Sequence, residues 1–593
     1  MDGAAADRLL LGVERSFSGK RWVDRSGDAR IGLALAQRLG VPEIVGRLLA
    51  ARGVGFDEAE IYLEPKLASL LPDPSTFKDM DKAADRLAKA VMAGERIAVF
   101  GDYDVDGATS SALLRRYFRA TGAEIDVYIP DRLKEGYGPN APAMLQLKDN
   151  GAAVVVTVDC GTTAYDALQT AADAGLDVIV ADHHVAEAKL PAAYAVINPN
   201  RMDEDNPHGQ LAAVGVSFLL AVAVNRALRA AGHFASRPEP DLRQWLDLVA
   251  LGTVADVVPL TGVNRALVVQ GLKVMTRRGN PGLSALADVA GMDETPGAYH
   301  LGFVLGPRIN AGGRLGESNL GARILSTDDE MEARDLAKQL DDFNQQRRAV
   351  EEAVLEEAME QADQEPDGGA VLVANSGWHP GVIGIVASRL VERYGCPACV
   401  VSLSEDKGVG SGRSVSGLDL GAAIIAARQQ GLLVNGGGHA MAAGFTVEPG
   451  KIGALREFLS DRLARLAAEL DHAPKLYIDG NLSLPAASLE LAQHIERLAP
   501  FGSGNAEPRF ALTGVRVAKA DVVGKDHVRC ILTGEGASGR LSGISFRSAD
   551  TPAGQRLLNH GGLPVHVAGR LRPNRWRGSV LVQLLIDDVA PAS

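Results

Sequence analysis

Gly101-Asp102-Tyr103-Asp104-Val105-Asp106-Gly107 sets three carboxylates at alternate positions directly after the apolar run Ile97-Ala98-Val99-Phe100. Anions this close repel one another, so ionising all of them is costly unless a cation neutralises them. Hard oxygen ligands suit Mg²⁺ or Mn²⁺, and a histidine among them shifts the balance toward Mn²⁺. A calcium loop of the Asp-x-Asp-x-Asp-Gly kind is excluded, because it needs a glutamate six residues after its glycine and position 113 is Leu. Residues of the same chemistry recur in Asp159-Cys160-Gly161, in Asp182-His183-His184, and at Asp256, which lies in the otherwise apolar stretch Gly252 to Leu260. An unpaired carboxylate there is expensive and wants a metal or a cationic partner. Taken singly, Asp159 can cap a helix and the histidines can be satisfied core or surface groups. Together they offer five or six hard oxygens and an imidazole, the inventory of a two-metal site for in-line displacement at phosphorus.

The elements that must position these groups are legible around them. Ile97 to Phe100 reads as a buried parallel strand, and Ala108 to Leu114 has helix composition, so the first acids fall in a strand-to-helix turn, where open α/β sheets bind ligands. Met80 to Val91 reads as an amphipathic helix leading in. Ile125 to Ile129, Val154 to Val158 and Val178 to Ala181 continue an alternation of strand and helix that indicates a parallel sheet with crossover helices. The last two of these strands end in the other acids and imidazoles. Residues 1–78 are helical in pattern, with Leu35, Leu39, Val45 and Leu48 at helical spacing, and carry no chemistry.

At 593 residues the chain has room for three or four domains. A net charge of −13 argues against a basic surface coat but leaves room for a local basic groove. Four scattered cysteines fit a reducing compartment, and the flanks of Cys396-Pro-Ala-Cys399 read as the entry to a strand rather than as a redox or zinc site. No leader-like h-region and no uninterrupted apolar run of membrane-spanning length are seen, so the expectation is a cytoplasmic protein without a membrane partner.

Residues 328–364 form a long charged segment with Leu336, Leu340, Val350 and Leu355 at helical intervals, expected to be a bridging helix; the heptad is not sustained enough for a coiled-coil arm. Beyond it, His379 before a Pro-Gly turn, Ser411 and Arg413 in a glycine-flanked loop, and Gly436-Gly437-Gly438-His439 can offer N–H groups and positive charge to a phosphate. From Lys475 onward short β-rich segments recur, and the tract is basic although the chain is acidic. Phe501, Phe546 and Trp576 lie there among Arg547, Arg572, Arg575 and Arg577, with core burial the expected role of Phe546.

The four acidic motifs, in their order, resemble those of the DHH phosphoesterase superfamily. Gly306 to Leu315, Trp378 to Gly384, Gly410 to Ser414, Gly436 to His439 and Pro500 to Asn505 resemble its RecJ branch, the single-stranded-DNA-specific exonucleases. The resemblance implies an α/β protein: a parallel-sheet DHH catalytic domain at 79–326, a bridging helix at 327–366, a second α/β DHH-associated domain at 367–468 and an OB-like β-barrel at 474–593, after the N-terminal helical region. It implies 5′-to-3′ degradation to mononucleotides with two Mn²⁺ or Mg²⁺ ions. One would be held by Asp102 or Asp104 with Asp159, the other by Asp106, Asp159, His183 and Asp256. Asp182 and His184 would serve catalysis, His184 by orienting the site or stabilising charge. Arg308, Asn310 and Arg314 would position phosphates near the cut, Ser411 and Arg413 would hold the terminal 5′-phosphate, and His379, Gly436, Gly437, Gly438 and His439 would complete the substrate contacts. The expected partners are single-stranded DNA, a single-strand-binding protein and a helicase; the expected state is a monomer. Two rival readings are a phosphodiesterase of cyclic dinucleotides or short oligoribonucleotides, which has no need of the C-terminal tract, and a non-catalytic DNA-binding scaffold, which has no need of intact ligands.

Overall fold

The computed structural model describes residues 8–132, 134–364, 368–469, 474–534, 539–576 and 579–592. The chain forms two compact units, one of Asp73–Asp256 with Gly271–His472, the other of Met1–Pro72 with Val257–Gln270 and Ala473–Ser593.

The first unit is built on a five-stranded sheet in the order Ile125–Tyr128, Arg96–Gly101, Ala152–Val158, Asp177–Ala181, Ala195–Ile197, all parallel. Its β-branched central strands are buried on both faces, as a parallel sheet under crossover helices requires. Register matters most for function. Gly101 pairs with Val158 and Val158 with Ala181, so three strands end level, and the residues that follow them are Asp102, Asp159 and Asp182. The short strand Ala195–Ile197 has too few residues to leave a sequence pattern.

Helix Ala213–Ala230 is long and apolar enough to compare with a membrane span, yet 72% of that window is buried against this sheet's surroundings and neighbouring helices. Helix Leu246–Ala255 is buried along almost its whole length and carries Asp247 in its first turn. Burial lifts the Asp247 carboxyl to about 6, against the Leu248 N–H bond and the charge of Arg116. Because the folded value lies above the ordinary 3.8, the folded state holds this proton more tightly, and Asp247 costs stability as pH rises from about 4 to about 6, with no further loss above. Asp247→Asn should therefore raise the melting temperature at pH 8 and leave it unchanged at pH 4, the gain being at most about 3 kcal/mol. Thermal melts across that pH range check this; an equal effect at both ends would assign the change to shape rather than charge.

The bridging helix is observed as Glu330–Ala362, with Asp329 accepting from Met331 N and Glu332 N at its start. Val354, Ala358 and Ala362 enter the core of a second sheet region with Val373, Trp378, Ile383 and Val386. That sheet runs Asn435–His439, Ala442–Val447, Gly408–Arg413, Ala398–Leu403, Val371–Asn375, antiparallel except for its last pair.

In the second unit, Phe510–Val523, His527–Thr533, Arg540–Ser545, Ser579–Pro591 and Val565–Trp576 pair in succession, and Val565–Trp576 pairs back onto Phe510–Val523, an OB-like circuit. The N-terminal region does not stand apart from it. Arg21–Asp24 adds in parallel to Lys475–Ile478, and Leu35, Val45, Leu48 and Leu49 share one core with Leu491, Ile495, Phe510 and Leu512. Trp22 is fully buried and donates through Nε1 to Asp588 at 2.9 Å. Helices of 11 and 9 residues cannot bury an apolar face alone, and here the OB-like circuit supplies the partner surface.

The aromatic residues of this tract differ from expectation. Phe546 is 55% exposed rather than in the core, because the strand ends on buried Ser545 and Phe546 lies in the turn that follows, its ring against His527 with centroids 5.1 Å apart. Phe501 packs partly buried on the core. Arg572 is tied to Glu507, and Arg575 lies 3.8 Å from Glu496, so these charges are partly compensated. The Trp576 side chain and Arg577 lie outside the described residues.

Candidate metal centre and nucleic-acid pocket

Asp102 follows the strand Arg96–Gly101, and the chain turns at once into helix Val105–Thr121. Asp104 caps that helix, its Oδ1 accepting from Asp106 N at 2.9 Å and Gly107 N at 3.2 Å. Gly107 is required by close approach, since a Cβ there would meet the Asp102 carbonyl oxygen at 2.4 Å. Asp106, 1% exposed, accepts from Ala213 N and Val214 N at 2.7 and 2.9 Å, at the start of helix Ala213–Ala230, whose N-terminal dipole favours the anion. Asp159 sits at φ 60°, a strained backbone for any residue but Gly or Asn/Asp, which turns its carboxylate back over the strand ends. Asp256 is the C-cap of helix Leu246–Ala255.

These placements bring the expected ligands together. His183 Nε2 lies 3.3 Å from Asp159, 3.7 Å from Asp256 and 3.9 Å from Asp106. Ligand atoms of Asp106, His183 and Asp256 form one group close enough to hold an ion, and those of Asp102, Asp104 and Asp159 form another. Burial first, then repulsion from Asp104, lifts Asp102 and Asp256 to about 7 and pushes Asp159 far above the ordinary range; Asp106 is pushed up by burial, Asp256 and Asp104. Asp102 Oδ1 and Asp256 Oδ2 are buried oxygens without a hydrogen-bond partner. Orphaned hard oxygens converging with an imidazole fit divalent cations of the Mn²⁺ or Mg²⁺ class.

Asp182 and His184 form a pair, and the His184 ring also groups with Asp159 and His183 as a third set of ligand atoms close enough to hold an ion. Asp182 Oδ1 lies 2.7 Å from His184 Nδ1 and accepts from His183 N, while Oδ2 accepts from Thr162 N at 3.1 Å. Burial disfavours charge on both, but their contact outweighs it, holding Asp182 below the carboxylate range and raising His184 to about 9. His183 moves the other way, lowered by burial and by His184, so it stays neutral as a metal ligand must. Asn198 donates to the His184 carbonyl at 2.8 Å and Asn200 to the His183 carbonyl, fixing the histidine backbone.

A cavity of about 250 Å³ opens on the acids and is lined also by Tyr103, Arg132, Tyr137, Asn310 and Arg314. Tyr137 donates to the Asp159 carbonyl at 3.0 Å, and Arg132 lies over the Tyr103 ring at 5.1 Å. Arg132, Tyr137, Asn198 and Asn200 escaped sequence reading because they sit in loops without periodicity; Glu135-Gly136-Tyr137-Gly138 and Asn198-Pro199-Asn200 were the available turn signals. Of the three residues expected to position phosphates, Asn310 and Arg314 line this cavity. Arg308 does not: it is 9% exposed, with Nε on Asp341 at 2.8 Å and Nη1 on the Val304 carbonyl at 2.7 Å, and it ties its helix to the bridging helix.

The second sheet region adds Arg413 to the arginines near the acids. Arg314 Nη1 donates to the Gly381 carbonyl at 2.8 Å, and Gly381 N to His379 Nδ1 at 3.0 Å. Burial lowers Arg314 to about 10, and Arg132, Arg347 and Arg413 each add repulsion, so four guanidiniums share one neighbourhood. Arg413 Nη1 donates to the Gly412 carbonyl and lies 3.3 Å from Ser411 Oγ. Register sets Ser411 across from Gly444 and Gly444 across from Gly437, and a Cβ at either glycine would meet nothing within 4 Å. Gly436 is instead a packing glycine toward Ile424 and Phe445, and Gly438 and His439 continue the same strand, His439 half a sheet from Arg413 through Ala442.

Comparison with known proteins agrees with this geometry. Family profiles match as "DHH family, N-terminal domain" at residues 96–253, "DHHA1 domain" at 368–465 and "RecJ OB domain" at 478–588. The single-stranded-DNA-specific exonuclease RecJ of Escherichia coli is 37% identical over 568 residues, covering 93% of this chain and 96% of that protein. The chain belongs to the RecJ family. The RecJ of Salmonella typhimurium is equally similar, at 37% over 569 residues and the same coverage. Among solved structures, RecJ from Thermus thermophilus in complex with Mn²⁺ aligns with a TM-score of 0.80 at 32% identity, over 96% of this chain and 79% of that one. The RecJ fold thus accounts for the DHH sheet, the DHH-associated sheet and the OB-like circuit described above.

Proposed function

We propose that this chain is a metal-dependent exonuclease that degrades single-stranded DNA to mononucleotides in the 5′-to-3′ direction, in DNA repair and recombination. The observation that carries it is a pocket with two signs: buried acids short of cations, and Arg132 and Arg314 lining the same cavity with Arg413 nearby. A phosphodiester flanked by divalent cations satisfies both. Asp102 or Asp104 with Asp159 would hold one ion, and Asp106, His183 and Asp256 the other, with Asp159 shared through its 3.3 Å approach to His183. When bound, the ions lower the pKa of an attacking water and neutralise charge on the departing oxygen.

The chain's own residues do the rest. Asp104 and Asp106 are fixed by helix-start amides, so their oxygens need no reorganisation. His184, kept protonated by Asp182, presents a positive edge to the transferring phosphoryl group. Arg314 and Asn310 orient the strand, and Ser411 and Arg413 grip the 5′-phosphate, which makes cleavage start at an end. A monomer in the cytoplasm, working with a single-strand-binding protein and a helicase, belongs to the same proposal, and the free thiols support a reducing compartment.

The test is degradation of end-labelled single-stranded and duplex DNA with Mn²⁺, Mg²⁺ or chelator. Products released from the 5′ end of single strands only, and only with metal, are expected; preferred hydrolysis of cyclic dinucleotides would overturn the reading. Arg413→Ala should reduce the preference for 5′-phosphorylated over 5′-hydroxyl ends about ten-fold, the scale of one charge-assisted contact. Initial rates on paired substrates measure it, and equal slowing on both would leave Arg413 a general positioning role.

A further inference from the structure

The first unit holds a second cavity, of about 260 Å³, that shares no lining residue with the one over the acids. Asp247 stands at its deep end, 2% exposed. Leu248 N donates to Oδ1 at 2.9 Å, and among the described residues no hydrogen bond reaches Oδ2. The charge of Arg116 is felt there, but that guanidinium is spent on the Leu325 and Thr327 carbonyls and on Asp328. The hydroxyls of the wall are committed in the same sense. Thr276 Oγ1 donates to the Leu272 carbonyl at 2.9 Å and Ser284 Oγ to the Arg278 carbonyl at 3.1 Å, so both leave only lone pairs for the cavity. Arg278, the one cation among the described lining residues, is tied to Asp288 and to the Ser284 carbonyl. Asp293 and Glu294, both exposed, add two carboxylates at the mouth. Buried Met275, Leu283 and Leu305 supply apolar wall.

We propose that this cavity binds a small aliphatic amine, its ammonium group on Asp247 and its hydrocarbon stem against Met275, Leu283 and Leu305. An ammonium group carries three donors and no acceptor, which matches a space rich in acceptors and poor in free donors. A buried carboxylate without a counter-charge is costly, as its upward shift to about 6 records, and a bound cation offsets that cost. Three carboxylates against one guanidinium that is already paired disfavour an anion such as a nucleotide. The acids at the mouth favour a diamine over a monoamine, because its second ammonium group meets them where the apolar wall ends. Helix Leu246–Ala255 carries Asp247 in its first turn and is capped by Asp256 nine residues on. Helical rise sets the two about 13 Å apart, so an amine on Asp247 leaves the metal ligands unobstructed.

Calorimetric titration of 1,5-diaminopentane into the full chain at about pH 8, where Asp247 is ionised, tests this, with saturating Mg²⁺ present to fill the acid cavity. The uncharged control of equal length is 1,5-pentanediol. One diamine per chain should bind with a Kd of about 1 mM or below, and the diol at least about ten-fold more weakly. Asp247→Asn keeps the shape and removes the charge, whereas Ala287→Phe keeps the charge and fills the cavity that Ala287 lines. Each should weaken the diamine about ten-fold or more, with circular dichroism to show that the fold is kept. By linkage, the diamine should raise the melting temperature of wild type and leave that of Asp247→Asn where it was. Equal binding of diol and diamine, or undiminished binding to either variant, would overturn the proposal. Displacement of the diamine by added Mg²⁺ would overturn it too, by placing the amine among the metal ligands.

Discussion

Asp159→Asn should lower cleavage of single-stranded DNA by at least about 10²- to 10³-fold, the scale of a lost stabiliser of transition-state charge. Asn is the informative substitution, because position 159 has φ 60° and Asn tolerates that backbone where Ala is strained. The variant removes a charge that stands in the group of Asp102 and Asp104 and lies 3.3 Å from His183 of the other. Two readouts separate this from misfolding. Without metal, the variant should melt at or above the wild-type temperature, because one of several mutually repelling buried carboxylates is gone. With Mn²⁺, wild type should gain stability by linkage and the variant should gain much less. Near-normal turnover together with a full Mn²⁺-induced rise would rule out a shared ligand at this position.

Asn505→Ala should destabilise the unit of Met1–Pro72 and Ala473–Ser593 by roughly 3–5 kcal/mol, the upper range for a single substitution. Asn505 is 1% exposed and every polar position of its amide is used. Nδ2 donates to the Leu498 and Pro500 carbonyls at 2.9 and 2.8 Å, while Oδ1 accepts from Arg52 Nε and Tyr62 OH, both at 2.9 Å. Truncation strands the Pro500 carbonyl, Arg52 Nε and Tyr62 OH at once, while the Leu498 carbonyl keeps Arg265 Nη1 at 2.8 Å. The same loop carries Ser503, whose carbonyl accepts from Leu260 N at 2.8 Å but whose side chain is exposed, so Ser503→Ala should stay within about 0.5 kcal/mol. Urea unfolding of the two variants side by side makes the comparison; similar midpoints would remove the amide from its place as the loop's hub.

What the sequence disclosed depended on how far apart the interacting residues lie. Strand ends and their acids were legible because apolar runs and ligands are adjacent in the chain, and the level register of Gly101, Val158 and Ala181 then made the site. The bridging helix was legible from periodicity alone. The union of residues 8–72 with the OB-like circuit was not, since pairing Trp22 with Leu476 and Asp588 spans most of the chain and leaves no local pattern. Arg308 shows the complementary limit: a motif names an arginine, but only packing tells that its guanidinium is spent on Asp341. Phe546 shows the same for an aromatic, which falls in the turn one residue beyond the end of its strand and so escapes the alternation.

Gly437 and Gly444 leave the sheet beside Ser411 without side chains, a strip of bare backbone on which nothing projects that could distinguish one base edge from another. Direct readout requires donors and acceptors aimed at base edges, and contacts confined to phosphate and backbone carry no sequence information. Digestion should therefore advance at nearly one pace through purine and pyrimidine tracts alike, and pauses along a template should report secondary structure in the DNA rather than its composition.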